Sequence, residues 1–126
     1  MNLPKNLKYS EYVWVKAEAG VATLGVTDYG LSMAKEIVFI DLPKKGQSIK
    51  KGGTFASLES VKWSGHISSP VSGTVSEVNE PLFDAPEKLN KDPYASWICR
   101  IKLSDPSELS SLMDSNAAEA WAKKNL

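Results

Sequence analysis

The sequence predicts a mainly β protein with helices at its C-terminal end, and two patterns carry that prediction. Short β-branched or alternating runs are separated by turn residues through most of the chain, which is typical of small antiparallel sheets. After about residue 105 the apolar residues change to helical spacing. The chain has 126 residues, of which 42% are hydrophobic, and we expect one domain over residues 1–126.

Eight segments are predicted to be strands from their alternation or β-branched content. They are residues 12–15, 21–26, 37–40, 48–49, 55–59, 64–68, 73–78 and 97–102. The run 37–40 is bulky throughout and is expected to be fully buried. In the last segment Trp97, Cys99 and Ile101 alternate onto one face, which predicts a core position for the cysteine.

Helices are predicted in three places. Residues 28–35 form a possible helical turn, whereas 80–90 is expected to be mostly loop. The Asp-Pro-Ser-Glu sequence at 105–108 supplies an acidic N-cap and a proline at the first helical position. A last helix is expected from about 116 to 124. Leu31 and Ala34 are predicted to face inward. The apolar stripe after 105 consists of Leu109, Leu112 and Met113, and one side of the last helix is predicted to carry Ala117, Ala120 and Trp121.

Charge and residue counts exclude several classes of function. Lys+Arg and Asp+Glu both number 15, so the basic excess of a nucleic-acid-binding protein is missing. Since no apolar run approaches the ~20 residues of a membrane span and the start lacks an apolar signal segment, we expect a cytoplasmic protein. A single cysteine excludes an internal disulfide or a cysteine-based zinc cluster, and a single histidine excludes a multi-histidine metal site.

The sequence does not predict an enzyme, nor any catalytic or metal-binding residue. His66 lies in a short polar strand with no nucleophile motif nearby, so an ordinary surface or partly buried histidine is the better interpretation. Cys99 has Arg100 beside it, but neighbouring side chains on a strand point to opposite faces. Phosphate-binding glycine motifs are also absent from the sequence.

The most informative segment is Glu59-Ser60-Val61-Lys62-Trp63, at the predicted bend between two strands. Such bends usually contain Asn, Asp or Gly, whereas here Lys62 lies between two bulky apolar residues. A solvated lysine is the ordinary interpretation, but an exposed Trp63 calls for a partner or an attached apolar group. A lysine at a bend is also accessible to an enzyme that acylates its ε-amine.

With these residues the chain resembles the glycine cleavage system H protein family, whose members are lipoyl carriers. The resemblance spans about residues 3 to 113. The matching motifs lie at 25–29, 37–43, 59–62, 69–75, 77–80, 90–94 and 104–109. It implies a lipoyl/biotinyl-type barrel sandwich hybrid with C-terminal helices at about 105–124. It also implies that a lipoate ligase or lipoyl transferase attaches lipoate to Lys62 through an amide, with Glu59, Ser60, Val61 and Trp63 as the modification motif.

Four departures from the family pattern lie where they would line or flank the lipoyl arm. The usual His-Glu-Trp is Tyr12-Val13-Trp14, and Trp63 replaces the alanine that usually follows the lysine. The segments 34–36 and 93–97 also differ, the second being one residue shorter than in the family. The family glutamate is thought to help hold an aminomethyl-loaded arm, and Val13 cannot accept a hydrogen bond from an ammonium group.

The chain is also similar to the H-protein-like lipoate-binding proteins of heterodisulfide-reductase-like sulfur oxidation. These relatives have a Lys-Trp pair at the modification site and an apolar residue before the N-terminal tryptophan, as at Val13; residues 2–4 and Tyr9 also fit. The preferred interpretation is therefore an arm that shuttles a sulfur-bound intermediate between partner enzymes, with a heterodisulfide-reductase-like complex as partner. The alternative is an H protein that carries the aminomethyl group from glycine decarboxylase to aminomethyltransferase, its departures being neutral drift.

Two further possibilities concern the bend itself. A biotinyl carrier uses a similar hairpin but generally has methionine on both sides of the lysine, where this chain has Val61 and Trp63. A structural or regulatory module could retain the fold and lose the modification, and Trp63 would then be a protein-docking residue.

Overall fold

Nine strands form two antiparallel sheets in the computed structural model, which describes residues 1–61 and 63–125. The strands are β1 Lys8–Ser10, β2 Val13–Glu18, β3 Val21–Val26, β4 Ile37–Asp41, β5 Ser48–Ile49, β6 Thr54–Ser60, β7 Ser64–Ser68, β8 Gly73–Val78 and β9 Cys99–Leu103. The larger sheet has the order β1-β2-β3-β9-β8-β5, and the smaller sheet has the order β4-β6-β7. The hairpin that contains the predicted bend therefore belongs to the smaller sheet.

Short helices connect and flank the sheets. They are α1 Asp28–Ala34, α2 Pro81–Asp84, α3 Lys88–Lys91, a 3₁₀ helix Pro106–Ser111 and α4 Ser115–Lys124. Thr27 caps α1 by accepting a hydrogen bond from Gly30 N, and Asp114 caps α4 by accepting one from Ala117 N. In the described part of the chain, no helix is long and apolar enough to cross a membrane.

The inward faces of both sheets contribute to one main core. Leu24, Ile40, Leu58 and Ile101 are fully or almost fully buried there, as their alternation along the strands predicts. Cys99 is also fully buried in this core, which confirms its predicted position. A second, smaller cluster contains Leu7, Tyr9, Trp14 and Ala118, and it joins the N-terminal segment to α4.

The prediction that residues 37–40 are fully buried is wrong. The strand β4 lies at the edge of the smaller sheet, and the side chains of Val38 and Phe39 are 52% and 38% exposed. The pairing of β4 with β6 shifts between Ile37 and Phe39, so that Val38 is a bulge residue. A run of β-branched residues predicts a strand but does not say whether both of its faces are covered.

Trp97 does not share a face with Cys99 and Ile101, contrary to the prediction. The strand β9 begins only at Cys99, and Trp97 is half-buried beside Arg100, whose Cζ lies 4.2 Å from the ring centroid. The alternation rule fails here because Trp97 precedes the strand.

The C-terminal region is helical as predicted, with two differences in detail. Asp105 accepts a hydrogen bond from Ser107 N at 3.1 Å, but the helix that it caps is a short 3₁₀ helix. In α4 the buried residues are Ala118 and Ala122, whereas Ala117 and Ala120 are exposed. The buried face of α4 therefore lies one residue further along the chain than the predicted face.

Candidate functional site

The predicted bend connects β6 and β7, which pair antiparallel with Glu59 opposite Ser64. Beyond that pair, Ser60 N donates a 2.7 Å hydrogen bond to the carbonyl oxygen of Trp63, and Ser60 Oγ donates a second at 3.2 Å. The chain between Ser60 and Trp63 contains only two residues. The predicted hairpin is therefore present, and its bend is short and closed by hydrogen bonds.

Lys62, the predicted attachment residue, lies outside the described residues, but its neighbours in the motif are described. Val61 is 77% exposed and Trp63 is 45% exposed, as the sequence interpretation requires of residues at an accessible bend. Glu59 is exposed as well and lies opposite Phe39 of β4. The described side chains around the bend therefore include one exposed carboxylate and two exposed apolar groups.

The indole of Trp63 lies directly against Gly65. A Cβ atom built on Gly65 would lie 2.3 Å from Trp63 Cζ2 and 2.7 Å from Cη2, which no real side chain tolerates. The backbone of Gly65 is not in the left-handed region, so the close approach of the indole, and not a turn, distinguishes this position; a side chain here would force the partly exposed indole to move.

A cavity of about 540 Å³ opens beside the bend and has Trp63 in its lining. Its larger buried aliphatic side chains come from strands of both sheets and are Val13, Val26, Leu58 and Ile67. Partly exposed lining side chains are contributed by Tyr12 and Met33. The buried part of the lining is therefore mainly apolar, with Ser69 as a buried polar residue, and is suited to an uncharged group.

The charged and titratable side chains of this cavity are exposed. Among the described lining residues, Glu11 is the one carboxylate, and it lies in the β1–β2 turn with φ 53°. Lys51 donates from Nζ to Ser111 Oγ at 3.1 Å. The Nδ1 atom of His66 lies 2.7 Å from Ser57 Oγ. None of these contacts brings a charge into the apolar interior.

Tyr12 and Val13, two of the residues that depart from the family pattern, lie at the wall of this cavity. Tyr12 stacks on Tyr29 with 5.8 Å between ring centroids and meets the edge of Trp121 in α4 at 5.3 Å. Val13 is 3% exposed and faces the core. Sequence reasoning identified both as arm-flanking positions but missed Val26, Leu58 and Ile67, because a cavity formed by distant strands leaves no local motif.

His66 and Cys99 lie where the sequence interpretation places them. His66 is exposed on β7 and contacts a serine hydroxyl. Burial raises the pKa of the Cys99 thiol to about 12, so this sulfur is a poor nucleophile. Within residues 1–61 and 63–125, no three His, Cys, Asp or Glu side chains are grouped as a metal site would require.

Comparison with known proteins identifies the family. The family described as "Glycine cleavage H-protein" matches residues 6–125. This chain belongs to that family. Glycine cleavage system H proteins from Acidobacterium capsulatum and Escherichia coli O7:K1 are 45% and 47% identical to it. The first match covers 98% of this chain and 97% of the relative, and the second covers 94% and 95%.

Two further comparisons agree. A probable glycine cleavage system H protein from Aeropyrum pernix is 46% identical over 88% of this chain and 79% of the relative. The crystal structure of a glycine cleavage system H protein from Mycobacterium marinum superposes with a TM-score of 0.88 at 23% identity. That match covers 98% of this chain and all of the other, and it confirms the barrel-sandwich fold.

Membership of the glycine cleavage H-protein family confirms the resemblance found in the sequence. It also confirms a covalently attached lipoate as the cofactor and a carrier role without catalysis. The buried aliphatic side chains beside the bend fit the uncharged end of such a group.

Proposed function

We propose that Lys62 carries lipoate through an amide at its ε-nitrogen and that the chain is the H protein of a glycine cleavage system, acting in the cytoplasm. It would carry the aminomethyl group from glycine decarboxylase to aminomethyltransferase. Support for this pathway comes from the relatives of 45–47% identity, which match along most of this chain and bear that name. The sulfur-oxidation interpretation of the sequence is not supported by these relatives.

The observation that carries the choice of Lys62 is the closed bend between Ser60 and Trp63. Two hydrogen bonds to one carbonyl oxygen fix the bend, and the described side chains on both sides of Lys62 are exposed. A fixed bend lets a lipoate ligase or lipoyl transferase recognise a constant shape without first ordering a loop. The Glu-Ser-Val-Lys sequence at 59–62 matches the family motif.

When bound, lipoate supplies a strained five-membered cyclic disulfide that is easily reduced and whose sulfur can hold a substrate fragment. The chain itself supplies a stiff support, because β6 is paired on both sides, with β4 and with β7. Tethering also keeps the reacting group at high effective concentration near each partner enzyme. The side chains of Val13, Leu58 and Ile67 give the cavity beside the bend an apolar wall that an uncharged group can occupy.

The intact mass of the protein tests the attachment site. Co-expression with a lipoate ligase and lipoate should raise the mass by one lipoyl group, and Lys62→Arg should abolish the increase. Lys45→Arg, in an exposed turn, is the matched control and should load like the wild type. A wild type without added mass, or a Lys62→Arg variant that still loads, would reject the proposal.

One observation favours sulfur oxidation as a second candidate pathway. Val13 is buried at the cavity wall, and the nearest carboxylate in the sequence, Glu11, is exposed in the turn. A cationic cargo would therefore find no anionic partner in the interior. Glycine decarboxylase assays with the lipoylated wild type and Val13→Glu distinguish the two. A normal rate of aminomethylation of the wild type would reject the second candidate, and a rate restored only by Val13→Glu would favour it.

A further inference from the structure

We propose that an exposed apolar strip beside the bend is the docking surface for the enzyme that loads Lys62. The strip consists of Val38 and Phe39 in β4 and Phe83 in α2, all of which are exposed. The inference rests on the proposed attachment of lipoate at Lys62. The partner is a lipoate ligase whose contact surface is apolar at its centre and basic at its rim.

The three side chains of the strip form one continuous surface. Phe39 and Phe83 meet edge to face with 5.9 Å between ring centroids, and Val38 is the bulge residue next to Phe39. A single exposed apolar side chain is normal in a soluble protein, but a contiguous group with two aromatic rings marks a contact surface. Aromatic residues are also the ones that contribute most to binding at protein interfaces.

An exposed apolar edge strand ordinarily favours pairing with a strand of another chain. The edge of β4 is obstructed at its start, because Ile37 N donates a 2.9 Å hydrogen bond to the side-chain oxygen of Asn90 in α3. The bulge at Val38 interrupts the regular ladder as well. A partner would therefore contact the side chains of the strip and would not extend the sheet.

The position of the strip relative to the bend indicates which partner it fits. Phe39 lies opposite Glu59 in the paired strands, and three residues of chain from Glu59 to Lys62 span at most about 10 Å. A ligase has to bring its active site to the ε-nitrogen of Lys62, so it covers the bend and the strip beside it. Enzymes that act on the far end of the lipoyl arm can work at a greater distance from the bend.

The charge around the strip favours the same partner. Although the whole chain has a net charge of zero, residues 36–41, 57–61 and 80–84 contain no lysine or arginine. Their exposed carboxylates are Glu36, Asp41, Glu59, Glu80 and Asp84. None of the five forms an ion pair with a lysine or arginine among the described residues.

A ligase that activates lipoate with ATP holds an anionic adenylate, which requires basic groups at its active site. The acidic border of the strip is complementary to such a site and would steer the two proteins together. The apolar lipoyl group also requires apolar surface in the ligase, which the strip can meet. Both properties of the strip thus match a ligase that has already formed its adenylate.

Docking precedes an acyl transfer in which the strip takes no part. The neutral ε-amine of Lys62 attacks the carbonyl carbon of the lipoyl adenylate and forms the C–N bond of the amide. The bond from that carbon to the phosphate oxygen breaks, AMP leaves with the electron pair, and the nitrogen releases a proton to solvent. Because the strip contributes only to binding, changing it should raise KM and leave kcat nearly unchanged.

Loading kinetics of the apo protein test the inference, with a purified lipoate ligase, ATP and lipoate, and with intact mass as the readout. Phe39→Ser combined with Phe83→Ser should raise KM for the apo protein about tenfold and leave kcat within about twofold of the wild type. Val21→Ser changes a partly exposed residue of the larger sheet, and it should load like the wild type. Circular dichroism and urea midpoints identify any variant that has lost its fold.

Charge reversal tests the electrostatic part of the argument. Glu80→Lys combined with Asp84→Lys should lower kcat/KM about tenfold at low salt, and added NaCl should reduce the difference from the wild type. Glu18→Lys changes an exposed carboxylate of β2 in the larger sheet and is the matched control. It should leave the loading kinetics unchanged.

A competition assay measures docking without the acyl transfer. The Lys62→Arg protein has no amine to load but retains the strip, so it should inhibit loading of the wild type competitively. Adding Phe39→Ser and Phe83→Ser to this inhibitor should raise its inhibition constant about tenfold. Val21→Ser added to the same inhibitor should leave the constant unchanged.

The inference fails if the strip variants and the charge reversals load with the KM of the wild type, or if Val21→Ser raises KM equally. It also fails if loading is unchanged while the double serine variant dissociates a wild-type dimer in sedimentation or raises only the KM of glycine decarboxylase. The strip would then serve a second copy or a later partner. A wild type that gains no lipoyl mass would instead reject the proposed function, so the two failures are distinguishable.

Discussion

Trp14 and Gly25 face each other across β2 and β3, and the indole lies on the glycine. A Cβ atom at Gly25 would lie 2.3 Å from Trp14 Cε2. The Nε1 atom of the same indole donates a 3.1 Å hydrogen bond to the carbonyl oxygen of Pro93. The Trp14 side chain therefore connects two strands to a distant loop. As in the pair of Trp63 and Gly65, the indole lies in the space that a Cβ atom would occupy.

Gly25→Ala should lower the free energy of unfolding by about 1–3 kcal/mol, because the added methyl group overpacks a buried site. Urea unfolding followed by circular dichroism measures the change. Trp14→Phe combined with Gly25→Ala should recover part of the loss relative to Gly25→Ala alone, since the smaller ring leaves room for the methyl group. A Gly25→Ala protein as stable as the wild type would contradict this account of the contact.

Ser60→Pro should slow lipoylation by at least about tenfold, because proline lacks the N–H that closes the bend onto Trp63. Ser60→Ala keeps that N–H and loses only the longer hydroxyl bond, so its rate should stay within about twofold of the wild type. Initial rates of mass increase with a purified ligase give the comparison. Equal rates for the proline and alanine variants would mean that the ligase does not recognise the closed bend.

Glu108 binds the loop before β8 through both of its carboxylate oxygens. They accept hydrogen bonds from Ser72 N at 2.7 Å and from Ser72 Oγ at 2.9 Å. Glu108→Ala should cost about 1–3 kcal/mol of unfolding free energy, because it leaves a donor unpaired. Glu119→Ala, which removes an exposed pair with Lys123, should cost under about 0.5 kcal/mol in the same urea titration. Similar costs for the two variants would argue against a specific role for Glu108.

Alkaline pH should reveal the burial of Cys99. Burial raises the pKa of its thiol to about 12 in the folded state, whereas the unfolded thiol titrates near 9.0. The unfolded state therefore loses its proton first, and the stability due to the buried thiol is complete below pH 9 and declines up to about pH 12. Cys99→Ala lacks this titration, so its deficit of about 1 kcal/mol at pH 8 should disappear or reverse by pH 10.5.

Urea titrations of both proteins at the two pH values, with a reductant present, measure that deficit. Other groups titrate in the wild type and the variant alike, so the difference between the two proteins isolates the thiol. A deficit that is unchanged at pH 10.5 would show that the folded protein does not suppress ionisation of Cys99.

The hairpin around the bend could be predicted because its signals are local. Alternation in 55–59 and 64–68 fixes two strands, and the short sequence between them leaves room only for a tight bend. The edge position of β4 was not predictable in this way, since the exposure of Val38 depends on which strands neighbour it. The helical face of α4 was also misplaced, because its small residues give a weak pattern.

The cavity beside the bend could be predicted from the sequence only in part. Val13 and Trp63 could be singled out from the sequence as departures from a family pattern, but their meeting at one cavity could not. Val26 lies in β3, and Leu58 lies in a different sheet. Only the packing of one sheet against the other brings these side chains together. No sequence pattern within a single segment indicates that packing.

The burial of Cys99 also affects how selectively a group on the sulfur of the lipoyl arm is transferred to a partner enzyme. This is the single cysteine of the chain, it is fully enclosed, and its ionisation is suppressed. The scaffold therefore presents no competing thiolate that could intercept cargo or form a mixed disulfide with a partner enzyme. At neutral pH, a thiol-directed electrophile offered to the loaded and reduced protein would report on the arm alone.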